Sequence, residues 1–241
     1  MINNTVVSAV EMEEQTFGGA QRTAAIVAGL GLVLMMFPAI LANFFVIQNT
    51  FVPGDAAATM NNLLANEFPF RLAVLGFIVV AVLDVIVAWG LYIFFVPTNR
   101  GLSLLGGWFR LVYSAVLVMA IMELIRALSL LQSAAGPAGV QMALQSFNDA
   151  WDLGLVMFGL HLVLVGVLAL QTAAMPKWLG VLVLIAGVGY VFDSIAGLLL
   201  PDFGIVISQV TFVGEMLLAV WLLVKSVTVK RWQQFALKTA Q

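Results

Sequence analysis

Six apolar stretches, each long enough to cross a lipid bilayer, constrain the fold of this chain more than any other feature of its sequence. A membrane-spanning helix needs about 20 largely apolar residues, and a chain in lipid must satisfy its backbone hydrogen bonds within its own helices. The stretches are 24–47, 70–96, 102–128, 150–171, 177–200 and 204–225. The sequence therefore predicts an all-α polytopic membrane protein, a bundle of six transmembrane helices.

Composition supports this prediction and argues against several classes of function. The chain is 63% hydrophobic and 9% charged, whereas soluble domains carry about 25% charged residues. A net charge of −2 without a basic patch argues against a nucleic-acid partner. The chain contains no cysteine, which excludes disulfides and thiolate metal sites. The lipid bilayer is the predicted environment.

Charged residues divide the chain into three parts and predict its orientation. An acidic N-terminal tail (1–21) precedes the six-helix domain (22–228), and a basic interfacial tail (229–241) follows it. Lysine and arginine of short loops are enriched on the cytoplasmic side of membrane proteins. Only Arg71 flanks a span on one side, and the other side carries Arg22, Arg100, Lys177, Lys225, Lys230, Arg231 and Lys238. We predict a bacterial inner-membrane protein with both termini in the cytoplasm.

Seven polar residues are expected near the middle of the membrane, where a charge costs several kcal/mol. Counting 1.5 Å per residue from the cytoplasmic helix ends places them in a layer roughly 15–24 Å deep. They are Asp84, Arg110, Tyr113, His161, Tyr190, Asp193 and Glu215. An ion pair between Asp84 and Arg110, with the Tyr113 hydroxyl nearby, is the simplest way to satisfy three of them. These groups are candidates for ligand binding or a proton relay, or they only fix the register of the helices.

A second polar group is expected near the outer membrane boundary. Its members are Asn43, Glu123, Arg126, Asp149 and Asp152. Glu123 and Arg126 are three residues apart on one helix and can pair. Asp152 and His161 are nine residues apart, on opposite faces of their helix, so they do not form a dyad. An ordinary solvated rim explains this group.

Catalysis and metal binding find little support in these residues. A metal site would need His161 with two or three of the membrane acids, and no short ligand motif is present. We predict no catalytic residue, no metal and no cofactor. Proton-coupled work fits better, because buried acids and histidines are common in proton relays. Pro38 and Asn43 in the first helix could help to form a solute site, since discontinuous helices do so in transporters.

Several segments resemble a bacterial family of small multi-pass membrane proteins, defined as a domain of unknown function with six predicted membrane helices. The segments are 22–45, 54–92, 99–115, 158–166 and 176–194. The resemblance implies a six-helix protein of the bacterial inner membrane. Its pattern is matched at Arg22, Asp84, Arg110, Tyr113, His161, Tyr190 and Asp193. It implies no activity.

Three functions are compatible with these residues. The first is a small proton- or ion-coupled transporter or solute-binding bundle with a polar mid-membrane site. The second is a non-catalytic accessory or regulatory membrane subunit, and the third and less favoured is an intramembrane enzyme that acts on a lipid-like substrate. The ligand would be a small solute, an ion or a lipid, and the assembly a homo-oligomer or a larger membrane complex. A wet cavity at Asp84, His161 or Glu215 would favour the first, and a dry, paired layer the second.

Overall fold

The computed structural model describes the backbone of residues 2–131, 133, 136–200 and 206–226. Side chains are described from Gly19 onwards, apart from those at 209, 225 and 226. The side chains of most of the predicted acidic tail, and the whole of the predicted basic tail 229–241, therefore lie outside the described residues.

The described residues form helices and their connections, without a β-strand. The first helix is continuous in direction but changes type, because a π-helical turn follows its α-helical part. The elements, in chain order, are α1 (Ile2–Ile40), the π-helical turn (Leu41–Ile47), α2 (Gln48–Thr50), α3 (Ala56–Ala65), α4 (Glu67–Phe95), α5 (Arg100–Leu130), α6 (Gly136–Gln171), α7 (Lys177–Leu199), α8 (Ser208–Thr211) and α9 (Val213–Ser226).

Five of these helical segments are long and apolar enough to cross a membrane, which confirms the prediction of an all-α membrane bundle. They are Gly19–Thr50, Glu67–Phe95, Arg100–Leu130, Gly136–Gln171 and Lys177–Leu199. The sixth predicted span, 204–225, coincides with the short α8 and with α9, which has 14 residues. Its helix is interrupted at Phe212, where a turn separates α8 from α9.

The long helices form a closed ring in chain order. α1 packs against α4, α4 against α5, α5 against α6, α6 against α7, α7 against α9, and α9 returns to α1. Small residues bring the backbones together, as is common in membrane bundles. A Cβ atom on Gly90 would lie 2.9 Å from the Ala24 carbonyl oxygen, and one on Gly187 would lie 2.6 Å from that of Gly159. The ring leaves one shared interior that every long helix faces.

Neighbouring helices in the ring run antiparallel, which gives the bundle two distinct ends. At one end, the Asn99 side chain accepts a hydrogen bond from Leu102 N at 3.0 Å and caps α5 directly after α4. At the same end the Lys177 ammonium donates to the carbonyl oxygens of Leu170 and Thr172. At the other end α3 packs on α6, where the Gln141 amide donates to the Val52 carbonyl at 3.2 Å. We name these the Lys177 end and the α3 end.

The first helix passes Pro38 without a break. A proline inside a helix cannot donate a hydrogen bond to the preceding turn, and local π-helical geometry is one way in which helices adapt. Here the π-helical turn Leu41–Ile47 starts three residues after Pro38. The outward faces of this and the other long helices are apolar, with Phe37, Leu72 and Trp108 exposed as lipid-facing residues would be.

Candidate functional site

Arg110 lies at the centre of the ring and contacts side chains from three other helices. Its Nη2 atom is 2.6 Å from Asp84 Oδ1 on α4 and donates to Met35 Sδ on α1 at 3.4 Å. Its Nη1 atom is 3.2 Å from His161 Nε2 on α6. The guanidinium carbon stands 5.3 Å from the centre of the Phe158 ring. The ion pair predicted between Asp84 and Arg110 is present.

The hydrogen bonds of His161 define its tautomer. Its Nδ1 atom is 2.9 Å from the carbonyl oxygen of Gly106, which can only accept, so Nδ1 carries the hydrogen. Nε2 then has a free lone pair, and it accepts from the Arg110 guanidinium, which can only donate. A second proton on His161 would be on Nε2, where it would point at the positively charged guanidinium of Arg110. His161 is therefore a neutral acceptor in this arrangement, because the hydrogen bond at one ring nitrogen decides which nitrogen carries the proton.

Asp84, Arg110 and His161 form what we call the core triad, and it is closed to solvent. Each of the three residues is 1% exposed. Two atoms of the triad have no hydrogen-bond partner among the residues described: Arg110 Nε, and Asp84 Oδ1, which is close enough to Nη2 for an ion pair. The triad is thus buried and mutually paired.

Aromatic rings surround the core triad on the side of α7. Phe158 packs at 4.9 Å from the Tyr113 ring and edge-on at 5.3 Å from the Tyr190 ring. The Tyr113 phenol is also in electrostatic range of Asp84 and Arg110. Tyr113 was predicted beside the ion pair, whereas the ring contacts of Phe158 and the contact of Met35 with Arg110 could not be predicted from the sequence. Apolar residues on a membrane helix carry no signal that separates a central position from a lipid-facing one.

A second set of polar side chains lies between α7 and the α8–α9 pair, and we call it the polar seam. Its members are Tyr190, Asp193, Ser208, Thr211 and Glu215, all partly exposed. Asp193 caps α8, because its carboxylate oxygens accept from Ile207 N at 3.0 Å and from Ser208 N at 2.6 Å. A Cβ atom on Gly189 would collide with Thr211 Oγ1, so the two helices touch at this level.

Glu215 differs from Asp84 in having no direct partner. Its carboxylate forms neither a hydrogen bond nor an ion pair with the side chains and backbone that the structure describes. It is nevertheless close enough to Arg110 and Asp84 to interact with both charges, and close enough to influence Tyr190. Each helix of the ring thus supplies one polar or polarisable side chain to a common layer: Met35, Asp84, Arg110, His161, Tyr190 and Glu215.

The residues predicted near the outer boundary lie apart from this layer. Glu123 and Arg126 pair at 3.5 Å, with the arginine 61% exposed. Asp152 is exposed on α6, whereas His161 on the same helix is buried. The Asn43 carbonyl accepts from Gln48 N within the π-helical turn. Among the described residues, no group of three or more His, Asp or Glu side chains is placed to hold a metal ion.

Comparison with known proteins places this layer inside a family domain. A family described as "Domain of unknown function (DUF4386)" matches residues 27–226. An uncharacterized protein of Archaeoglobus fulgidus is 34% identical over 162 residues, which is 67% of this chain and 88% of that protein. No solved structure matches the chain. The matched range contains every residue of the core triad and of the polar seam.

Proposed function

The chain belongs to the DUF4386 family of domains of unknown function, and we propose that it moves protons or small cations across a membrane by charging and discharging Glu215. The observation that carries this proposal is the environment of that carboxyl. It lies within electrostatic range of the buried Asp84–Arg110 pair, it has no hydrogen-bond partner among the described residues, and it is partly exposed.

Charge balance in the layer supports this role. Arg110 contributes one positive charge and Asp84 one negative charge, while His161 is a neutral acceptor. An ionised Glu215 would leave the layer with one net negative charge, which is costly inside a membrane. A proton or a monovalent cation at Glu215 removes that charge. The exchange of one such ion is therefore the chemistry to which this layer is suited.

The core triad keeps Arg110 from neutralising Glu215 itself. Asp84, His161 and Met35 hold the guanidinium from three helices, and moving it would leave the Asp84 carboxylate buried without its partner. Loss of a partner from a buried ion pair is strongly unfavourable. Arg110 therefore acts as a fixed charge near Glu215, and the mobile charge has to be the exchanged ion.

A flux assay tests the proposal. The purified protein is reconstituted into liposomes that contain a pH-sensitive dye, and a potassium diffusion potential or an opposing sodium gradient drives the flux. We expect proton or sodium flux above that of protein-free liposomes, and its loss in Glu215→Gln. Glu123→Gln is the matched control, because it makes the same change outside the layer. Wild-type protein without flux under any of these gradients, or an active Glu215→Gln variant, would overturn the proposal.

The accessory-subunit hypothesis is favoured by one different observation. The core triad is paired and 1% exposed at each residue, as expected of a group that only fixes helix register. If that is its whole role, replacing the triad by apolar residues of similar volume should leave complex formation intact. Co-purification of an untagged membrane partner with both the wild-type protein and the Asp84→Leu/Arg110→Met variant would support this second function.

We also propose that the Lys177 end faces the cytoplasm of a bacterial cell. Arg100 and Lys177 both start helices at that end. The arginine at the α3 end, Arg71, is paired with Glu67 at 2.6 Å. Labelling of single cysteines by a membrane-impermeant maleimide in intact cells tests this orientation, with Ala57→Cys at the α3 end and Gly101→Cys at the other. We expect only Ala57→Cys to react before lysis.

A further inference from the structure

We propose that the polar seam is the route by which a proton or small monovalent cation reaches Glu215 from the α3 end of the bundle, with Thr211 as the relay or ligand on that route. This inference rests on the proposed function of Glu215 but concerns a different property, the access to that carboxyl. Thr211 and Ser208 stand outside the core triad.

The seam forms a line of polar groups that runs along the contact between α7 and the α8–α9 pair. Asp193 and Ser208 meet at the α3 end, where the carboxylate accepts from the Ser208 amide. Thr211 lies one turn further along, opposite Gly189. Glu215 follows after another four residues. The turn at Phe212 keeps right-handed helical backbone angles, and residues spaced by three and four lie on one side of a helix. The three side chains of the α8–α9 pair therefore form a single row.

Exposure distinguishes this row from the rest of the interior. Every member of the seam is partly exposed, whereas the core triad at a similar depth is closed. Lipid cannot hydrogen-bond polar groups, so a row of partly exposed polar residues is stable when water reaches it. Ser208 and Glu215 are partly exposed on either side of Thr211, and the hydroxyl oxygen of Thr211 itself is buried between them.

Thr211 supplies a second and independent observation. Its Oγ1 atom is buried and has no hydrogen-bond partner among the residues described. Burying a hydroxyl without a partner is unfavourable. A proton or cation that passes along the seam would act as a temporary partner for this hydroxyl. A hydroxyl can donate and accept at once, so it can relay a proton or offer an oxygen to a cation. The space next to this hydroxyl exists because residue 189 is a glycine, since a Cβ atom there would collide with Thr211 Oγ1.

Packing limits what can travel along the seam. Close to Glu215, a Cβ atom on Gly214 would collide with the Leu182 carbonyl group, and one on Gly189 with Thr211. Backbones this close leave no room for an organic solute between the helices. The groups present are carboxylates and hydroxyls, which are hard oxygen ligands. Proton, hydronium and small monovalent cations are the species that fit both conditions.

Access can be measured without any assumption about transport, because the chain has no cysteine of its own. Single variants Ser208→Cys and Thr211→Cys in sealed vesicles are exposed to Ag⁺, a small thiol-reactive cation. The vesicles are then dissolved in detergent, and the thiols that remain are counted with a maleimide. Controls are Ser114→Cys, whose native hydroxyl bonds to the Ala81 carbonyl in the core, and Val220→Cys, on the exposed apolar face of α9.

We expect Ag⁺ to protect Ser208→Cys fastest, Thr211→Cys next, and both far faster than either control. Protection should occur only when Ag⁺ is applied on the side where Ala57→Cys is labelled. The route is wrong if Thr211→Cys reacts no faster than the two controls, or if it reacts only from the side of Gly101→Cys. Disulfide-linked dimers of Thr211→Cys instead of Ag⁺ protection would also overturn it, because a second copy would then cover the seam.

Flux measurements separate a failure of the route from a failure of the function. We expect Thr211→Val, which keeps the shape but removes the hydroxyl, to lower proton or sodium flux about tenfold, the effect of one lost hydrogen bond. Thr211→Ser restores the hydroxyl and should retain flux. If Thr211→Val and Thr211→Ser carry equal flux and Glu215→Gln carries none, the route through Thr211 is wrong but the proposed function of Glu215 stands. If the cysteines are accessible but the wild type carries no ion, the proposed function is wrong and the seam is only a water-filled cleft.

Discussion

The core triad and the polar seam occupy the same bundle, but they use their polar groups in opposite ways. In the triad each charged or polar side chain has a partner on another helix, and the set is closed. In the seam Asp193 alone has its carboxylate oxygens occupied, by the start of α8, while Thr211 and Glu215 keep unused capacity. An ion pair closed to solvent stabilises one arrangement, whereas a carboxylate without a direct partner, next to a fixed charge, is what an exchangeable ion needs.

The largest expected effect comes from removing one member of the buried ion pair. We expect Asp84→Leu to destabilise the protein by about 3–5 kcal/mol, because Arg110 would stay buried without its counter-charge. The double variant Asp84→Leu/Arg110→Met should be milder than either single change. Thermal unfolding in detergent, followed by the loss of monodisperse protein, measures the difference. A double variant as unstable as the singles would show that the pair does not hold the triad together.

A smaller effect is expected from His161. His161→Leu leaves the Gly106 carbonyl and an Arg110 N–H group without partners, which should cost about 1–3 kcal/mol. His161→Gln can still donate to one and accept from the other, so it should retain most of the wild-type stability. The same unfolding assay compares the two. Equal loss in both variants would mean that ring packing, rather than hydrogen bonding, explains the place of His161 in the triad.

Glu215 provides the direct contrast with Asp84. Because Glu215 has no ion-pair partner among the described residues, Glu215→Gln should leave the unfolding temperature unchanged or slightly higher. Asp84→Asn makes the same chemical change in the triad and should lower it. If both variants lose stability equally, Glu215 is part of the structural network, and the distinction between triad and seam disappears.

The smallest effect is expected at the surface pair of α5. Glu123 and Arg126 are 3.5 Å apart, and the arginine is largely exposed, so Arg126→Ala should change stability by about 0–1 kcal/mol. Ion flux should also be retained. This variant serves as the reference for the others. A loss of stability as large as that of Asp84→Leu would show that the effect of removing a charge does not depend on its position in the ring.

Much of the layer could be predicted from helix depth alone. A rise of 1.5 Å per residue placed Asp84, Arg110 and His161 at one level, and the structure joins them. The same counting grouped Asp193 with Tyr190 in the mid-membrane layer, and the structure adds that the carboxylate of Asp193 binds the start of α8. That interaction depends on where α8 begins, at Ser208, which no residue pattern in a uniformly apolar span predicts.

The membrane environment of this protein, its helical class and the approximate depth of each polar side chain could all be predicted from the sequence. Those properties follow from apolar length and helix rise, which are local along the chain. The folded structure adds that the helices close into a ring in chain order, and that His161 and Met35 join the predicted Asp84–Arg110 pair. Partner choice depends on the rotation of each helix about its axis, which is set by contacts such as Gly90 on Ala24 and Gly187 on Gly159. Those contacts join residues that are distant in the chain, so the difference between a closed triad and an open seam exists only in the folded bundle.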